Sequence, residues 1–159
     1  MEARVLRVLD EHGLTYETMP CDPLLADTAA FCEHYGVALE DSANAIVVVG
    51  KSEPRRYACC VVLATTRLDV NGVVRRKLGA KKASFASADE TLGLTGMMIG
   101  GVTPVGLPSD MPVWVDARTM ERERVVIGGG NRSLKLLVPP SVFEALPNTE
   151  IVPDLAKEA

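Results

Sequence analysis

Two apolar, β-branched runs separated by a short polar turn constrain the fold of this chain more than any other feature. The first run, Asn44–Val49, ends at Gly50, and the second, Tyr57–Ala64, follows a polar segment that contains Pro54. Runs of this length and composition indicate strands that are covered on both faces. Because only a short turn separates them, we expect the two strands to pair antiparallel.

Shorter segments on both sides of this hairpin predict helices and further strands. Glycines end most of the predicted helices, and Asp69 is expected to cap the helix that runs to Leu78. A serine followed three residues later by glutamate predicts capping boxes at Ser87 and Ser141. Beyond Pro147 the chain is polar, and we expect a loose tail. The predicted helices cover residues 5–12, 29–35, 69–78, 87–95 and 141–146, and the other predicted strands cover 15–19, 82–86, 112–116, 125–127 and 134–138.

These elements predict a mixed α+β fold, neither doubly wound nor all-β. We expect a mixed, curled sheet of six to seven strands with about five short helices packed outside it. At 159 residues with 47% hydrophobic residues, the chain is long enough for one globular domain, 1–159, with its core over about 5–146. The N-terminal segment predicts a charged amphipathic helix rather than a signal peptide, and no apolar run reaches membrane-spanning length. We therefore expect a cytoplasmic protein without membrane contact.

Cysteine, histidine and charge content limit the chemistry that the chain can perform. Four cysteines without a CxxC pair and only two histidines offer few metal ligands, so we expect reduced thiols and neither a metal nor a cofactor. A net charge of −4 argues against DNA binding. The stretch Arg67–Lys82 nevertheless holds six basic residues and one acid, a local charge of +5. It is either a surface for a polyanion or the solvated face of a helix.

The segment Ile99–Leu107 contains three glycines and Pro104 within nine residues. Glycine permits backbone conformations closed to other residues, and proline fixes φ, so this composition predicts a loop of defined shape. It is either a rigid connector or a wall of backbone N–H groups that a substrate can approach.

The familiar catalytic motifs are absent. The chain has no HExxH, no GxSxG and no Walker lysine, and no Ser/His/Asp or Cys/His set stands out. The run Gly128–Gly130 follows a predicted strand but leads into another strand, so it lacks the helix of a dinucleotide-binding fingerprint.

Four segments, in order, resemble a known family. They are the polar step and strand Asp41–Val49, the basic segment Asp69–Ala86, the glycine loop Gly100–Leu107 and the strand pair Val125–Val138. The glycine loop, at its distance from the turn Leu78–Lys82, is the most specific of them. Over about residues 5–146 the chain resembles the YbaK-type aminoacyl-tRNA deacylases, which are similar to the editing domain inserted in bacterial prolyl-tRNA synthetases.

The resemblance implies a barrel-like mixed fold with outer helices and hydrolysis of the ester that joins a wrong small amino acid to tRNA. In such a site the loop positions substrate and water without a nucleophilic side chain. The implied partners are the tRNA acceptor end and an aminoacyl-tRNA synthetase, with the protein as monomer or homodimer. The implied residues are Gly100, Gly101, Val102, Thr103 and Pro104 for catalysis, Asn44, Ile46, Gly106, Gly129 and Gly130 for substrate binding, and Arg75, Arg76 and Lys77 for tRNA.

Two positions depart from the family pattern. Asn44 stands where the family usually has a lysine, and Lys135 stands about where some members have an acid. Asparagine donates hydrogen bonds but carries no charge. Three hypotheses follow: an active deacylase, a catalytically weakened protein of the same fold that binds a tRNA end, a small molecule or a protein, and a hydrolase with a changed substrate.

The individual residues also have structural interpretations. Asn44 can bond its own backbone at a strand start, Thr103 can satisfy a nearby loop N–H, and Arg75–Lys77 can be a solvated helix face. We expect His34 at the surface and Trp114 in the core.

Overall fold

A computed structural model describes all 159 residues. The α-helices are α1 (Glu2–Glu11), α2 (Thr28–Tyr35), α3 (Arg75–Leu78), α4 (Ala88–Thr95) and α5 (Ser141–Ala145). The strands are β1 (Glu17–Pro20), β2 (Ala43–Gly50), β3 (Arg56–Leu63), β4 (Thr66–Leu68), β5 (Ala83–Phe85), β6 (Val113–Asp116), β7 (Val125–Gly128), β8 (Leu134–Val138), β9 (Thr149–Val152) and β10 (Ala156–Glu158). None of the helices combines the length and apolar character needed to cross a membrane.

The predicted hairpin is confirmed and lies within a five-stranded mixed sheet of order β5-β2-β3-β6-β9. Strands β2 and β3 pair antiparallel along their full length, from Ala43 opposite Leu63 to Gly50 opposite Arg56. Alternate residues of a strand point to opposite faces, so the continuous apolar runs supply two cores. The adjacent cysteines show this division, because Cys59 packs in the larger core and Cys60 in the smaller one.

Two smaller sheets complete the fold. One has the order β1-β8-β7 and meets the five-stranded sheet through a parallel bridge between Ser42 and Val126, and the other consists of β10 and β4. The strands thus divide among several sheets with short helices, which confirms the mixed α+β class. No closed barrel is found, and there are ten strands rather than six or seven.

The expectation of a loose C-terminal tail is wrong. Strand β9 pairs in parallel with β6, and β10 pairs antiparallel with β4. The smaller core includes Val152, Leu155 and Ala156. The C-terminal segment therefore completes a core that the predicted helices and strands leave partly uncovered. Polar residues separate these few buried positions, so the segment has no apolar run that would predict a strand.

The caps predicted at Asp69 and Ser87 are confirmed, whereas the capping box predicted at Ser141 is wrong. Asp69 accepts hydrogen bonds from the N–H groups of Gly72 and Val73 at the start of a π-helical turn, Val70–Val74, that leads into α3. Ser87 forms the predicted capping box. Ser141 does not, because it is the first helical residue of α5 and follows Pro140, and no side chain caps this helix.

Candidate functional site

A cavity of about 330 Å³ opens where the five-stranded sheet meets the β1-β8-β7 sheet. The start of β2, the end of β7, the N-terminal turn of α2 and the glycine loop after α4 form its walls. Of the predicted site residues, Asn44, Ile46, Gly100 and Val102 line it. The fold therefore brings the polar start of β2 and the glycine loop to one cavity.

Asn44 is held by the first residue of α2. Its Oδ1 accepts a hydrogen bond of 2.5 Å from the hydroxyl of Thr28. The side-chain amide therefore keeps its two N–H donors, which have no protein partner, for a ligand. Asn44 is thus a hydrogen-bond donor in the cavity wall, and Ile46, two residues along the same strand, adds an apolar contact.

A buried cation from β8 enters the cavity wall. Lys135 is only 7% exposed, and its Nζ donates hydrogen bonds of 2.8 Å to the carbonyl of Ala26 and 2.7 Å to that of Gly100. Nζ also lies 5.5 Å from the ring centroid of Phe31. Burial lowers the pKa of Lys135, while the nearby Cys21 thiol opposes this shift. An ammonium group has three donors, so one N–H remains free.

Sequence reasoning gave Lys135 no role, although a signal was present. It stands between Leu134 and Leu136 in a strand whose residues are almost all buried. A charged residue inside such a run is seldom fully buried unless it has partners. The cavity therefore has a positive charge, but β8 supplies it and not β2.

Arg132, in the turn before β8, holds the glycine loop to the N-terminal turn of α2. Its Nη1 donates to the carbonyl of Ile99 at 2.8 Å and to a carboxylate oxygen of Asp27 at 3.0 Å. Its Nε donates to the carbonyl of Pro23 at 2.9 Å. The hydrogen bonds from Arg132 lower the pKa of Asp27, so this carboxylate remains charged.

Arg132 and Lys135 fix the orientation of two peptide groups of the loop, those that contain the carbonyls of Ile99 and Gly100. In a trans peptide the C=O and N–H groups point in opposite directions. Because the Ile99 carbonyl points to Arg132, the N–H of Gly100 points away from it. The N–H groups of Gly100 and Val102 make no hydrogen bond within the protein, and both residues line the cavity. The loop thus offers two backbone donors.

Two glycines allow the loop to pack directly against the turn between β7 and β8. A Cβ on Gly101 would collide with the carbonyl of Asn131, and a Cβ on Gly128 would collide with that of Val102. The N–H of Gly130 donates to the carbonyl of Gly101 at 2.7 Å. The loop is consequently a close-packed connector as well as one wall of the cavity.

The later residues of the predicted catalytic loop lie away from the cavity. Thr103 is fully buried, and its hydroxyl accepts a hydrogen bond of 3.5 Å from the N–H of Val105. Pro104 and Gly106 line a separate groove beside α1. The chain turns into the core directly after Val102, which separates these residues from Asn44.

The two turn glycines that we expect to bind substrate, Gly129 and Gly130, face other groups of the protein. Gly129 packs against Leu134, and Gly130 packs against Met1 and Val5. Neither lines the cavity, whereas the preceding Gly128 does.

The predicted tRNA-binding cluster on α3 lines no part of this cavity. Lys77 forms an ion pair of 2.9 Å with Glu150, and its Nζ lies 4.9 Å from the ring centroid of Trp114. Arg75 donates to backbone carbonyls, while Arg76 is exposed. The buried position of Trp114 confirms its assignment to the core.

Neither an activated thiol nor a metal-binding cluster accompanies the cavity. Burial raises the pKa of the Cys21 and Cys32 thiols, which disfavours their nucleophilic thiolate forms. No group of three or more His, Cys, Asp and Glu side chains is placed to hold a metal ion. His34 is exposed and contacts the ring of Tyr35, as expected of a surface residue.

The chain is similar to proteins of known sequence and structure. A curated protein of Enterococcus faecalis named "Putative Cys-tRNA(Pro)/Cys-tRNA(Cys) deacylase EbsC" is 21% identical over 162 residues, which cover 99% of this chain and 95% of the relative. A crystal structure of a hypothetical protein superposes with a TM-score of 0.84 at 25% identity, covering 97% of this chain and 99% of the other. The structure of "a putative trans-editing enzyme for prolyl tRNA synthetase" superposes with a TM-score of 0.83 at 23% identity, covering 99% and 97%.

The match to a family profile extends over most of the chain and contains every cavity-lining residue named above. Residues 22–145 match the profile described as the aminoacyl-tRNA editing domain. The chain belongs to the aminoacyl-tRNA editing domain family.

Proposed function

We propose that this protein is a free-standing deacylase that hydrolyses the ester between a small, wrongly attached amino acid and the 3′ end of a tRNA. The observation that carries the proposal is the pair of unpartnered N–H groups of Gly100 and Val102 in the cavity that also contains Asn44. Family membership and the curated relative support aminoacyl-tRNA as the substrate.

Hydrolysis requires stabilisation of an oxyanion more than it requires a protein nucleophile. Water attacks the ester carbonyl carbon and gives up a proton, and the carbonyl oxygen becomes negative. The carbonyl then re-forms as the bond to the ribose oxygen breaks, and that oxygen takes the proton released by the water. Fixed N–H donors stabilise the negative oxygen, and removing one such donor typically costs about 100-fold or more in rate. In this proposal Gly100 and Val102 supply the donors, and water is the nucleophile.

Asn44 and Lys135 together supply a hydrogen-bond donor and a positive charge. A lysine at the position of Asn44, which the family usually has, would combine the two. The amide of Asn44 donates a hydrogen bond to the substrate from β2, and the Lys135 ammonium supplies positive charge from β8. A buried charge acts strongly because little water screens it. The uncharged Asn44 therefore does not leave the cavity without a positive charge, which supports an active enzyme.

The test is hydrolysis of mischarged tRNA. The protein is incubated with Ala-tRNA(Pro), Cys-tRNA(Pro) and other small aminoacyl-tRNAs, and loss of the ester is followed against buffer. We expect hydrolysis of at least one substrate and a fall of about tenfold in kcat/KM for Asn44→Ala, the loss of one substrate hydrogen bond. No hydrolysis above buffer for any of them would overturn the proposal.

The variant Asn44→Lys distinguishes two hypotheses, an active deacylase and a catalytically weakened binding protein. If hydrolysis appears only in this variant, the native cavity binds its ligand without turnover. A native enzyme that already hydrolyses the ester contradicts that alternative.

A free-standing deacylase meets its substrate after the synthetase has charged the tRNA, so we expect two partners, the tRNA acceptor end and the synthetase. The substrate is the acceptor end of a tRNA released by an aminoacyl-tRNA synthetase, so we expect a transient contact with the synthetase in the cytoplasm. Co-purification of the two proteins in the presence of tRNA tests this contact.

A further inference from the structure

Strand β5 is the edge strand of the five-stranded sheet and ends at the mouth of the cavity. It pairs with β2 on one side only, with Phe85 opposite Val48 and Ala83 opposite Gly50. Phe85 is 57% exposed although it is aromatic, and it lines the cavity. The exposed ring of Phe85 therefore stands at the rim of the cavity, where a bound ligand can contact it.

Three lysines lie next to the other end of β5. Lys81 and Lys82 directly precede the strand, and the N–H of Lys51 donates to the carbonyl of Lys82 at 2.9 Å, which fixes the end of β2 beside them. All three are exposed. Lys82 and Phe85 are three residues apart, which is about 10 Å along a strand.

These lysines form no ion pair, unlike many other cations of this acidic protein. Carboxylates pair with Arg55, Lys77, Arg118, Arg122, Arg124, Arg132 and Lys157. In the α3 cluster, Lys77 is occupied by Glu150 and Arg75 by backbone carbonyls. The β5 edge therefore presents a group of unneutralised cations close to the cavity, a better phosphate-binding surface than α3.

We propose that the β5 edge binds the single-stranded 3′ end of the RNA substrate. Phe85 stacks on a base at the cavity mouth, and Lys51, Lys81 and Lys82 contact backbone phosphates on the 5′ side of that base. An aromatic platform followed by cations is the combination that binds single-stranded nucleic acid without reading its sequence. The inference rests on the proposed function, because it assumes that the ester in the cavity belongs to a tRNA.

The test compares a substrate that has phosphates with one that lacks them. Rates are measured for K51Q/K81Q/K82Q with aminoacyl-tRNA and with the same amino acid esterified to adenosine. We expect kcat/KM for the tRNA to fall about tenfold, mainly through KM, because three phosphate contacts are lost. The adenosine ester should react at the native rate. For Phe85→Ala we expect a loss of about fivefold or more with both substrates, because both contain a base that can stack.

A binding measurement keeps this inference separate from the proposed function. Affinity for a labelled, uncharged single-stranded RNA that ends in the tRNA 3′ sequence is followed by anisotropy between low and moderate salt. The slope of log affinity against log salt should decrease by about 2 in magnitude in the triple lysine variant, since single strands contribute about 0.7 for each phosphate contact. The matched control R4Q/R7Q/R67Q removes three exposed cations that also form no ion pair and lie on other elements, and it should retain the native slope.

The outcomes can be told apart. Native RNA affinity and a native salt slope in K51Q/K81Q/K82Q would overturn the β5 assignment, even if the enzyme deacylates tRNA. Absence of hydrolysis with both ester substrates would overturn the proposed function, while the RNA measurement would still test β5. Native RNA affinity in Phe85→Ala would contradict the stacking of a base on Phe85.

Discussion

The ammonium nitrogen of Lys135 lies 2.7 Å from the carbonyl oxygen of Gly100 and donates a hydrogen bond to it. This bond joins β8 to the loop that carries the proposed oxyanion donors. Lys135→Met keeps much of the side-chain volume but removes both the charge and the bond. We expect kcat for deacylation to fall about 100-fold, comparable to the loss of an oxyanion donor. Single-turnover hydrolysis measures this, with Lys157→Met, an exposed lysine on β10, as the control; a native kcat in Lys135→Met would contradict the role.

Burial of Lys135 also makes stability depend on pH. Burial lowers the pKa of Lys135 in the folded state below its ordinary value of 10.5. As pH rises between the lowered value and 10.5, the folded protein releases this proton first, so the unfolded state holds more protons and the free energy of unfolding rises. Urea unfolding of native protein and Lys135→Met over this range should show the native protein gaining stability relative to the variant. A constant difference would show that the lysine is not buried as a cation.

Gly101 and Gly93 form a matched pair for testing how closely the loop is packed. A Cβ on Gly101 meets the backbone of Asn131, whereas a Cβ on Gly93, inside α4, meets nothing within 4 Å. We expect Gly101→Ala to lower the free energy of unfolding by about 2 kcal/mol or more, because the backbone must move. Gly93→Ala should raise it by about 0.5–1 kcal/mol through helix propensity. Denaturant unfolding measures both, and equal effects would contradict the packing.

Arg132 is a positioning residue, since it orients the Gly100 peptide through the carbonyl of Ile99. In Arg132→Gln we expect kcat to fall about tenfold or more while KM changes little, because the N–H of Gly100 is no longer held towards the cavity. Asp27→Asn should have a smaller effect, because Arg132 keeps its bonds to Ile99 and Pro23. Steady-state kinetics of both variants test this order, which a purely structural role of Arg132 would not produce.

The central cysteines should resist alkylation in the native protein. Burial raises the pKa of Cys59 to about 12, and burial raises that of Cys60 well above its usual range. Thiolates are the reactive form, so iodoacetamide should leave both residues unmodified until the protein unfolds. Mass spectrometry of native and urea-treated protein provides the measurement. Modification of Cys59 in the native state would show that β3 opens readily.

The sequence predicts the local structure well wherever one short segment contains its own signal. The β2–β3 hairpin, the Ser87 capping box and the Asp69 cap follow from apolar runs and from polar residues at fixed offsets, and the structure confirms them. The family resemblance was also available from the order of segments, and residues 22–145 match that family. The strands of the C-terminal tail were missed, because they are short and have few apolar residues to mark them.

The composition of the cavity wall depended on contacts between distant parts of the chain. The sequence by itself determined that a glycine loop and a strand beginning at Asn44 exist. Only the tertiary structure decided that Gly100 and Val102 face Asn44 while Pro104 and Gly130 do not, and that Lys135 supplies the buried charge. The physical reason is that a carbonyl of the loop and an ammonium group 35 residues further along the chain meet only when two sheets pack together. No local sequence pattern predicts this contact between Lys135 and the loop.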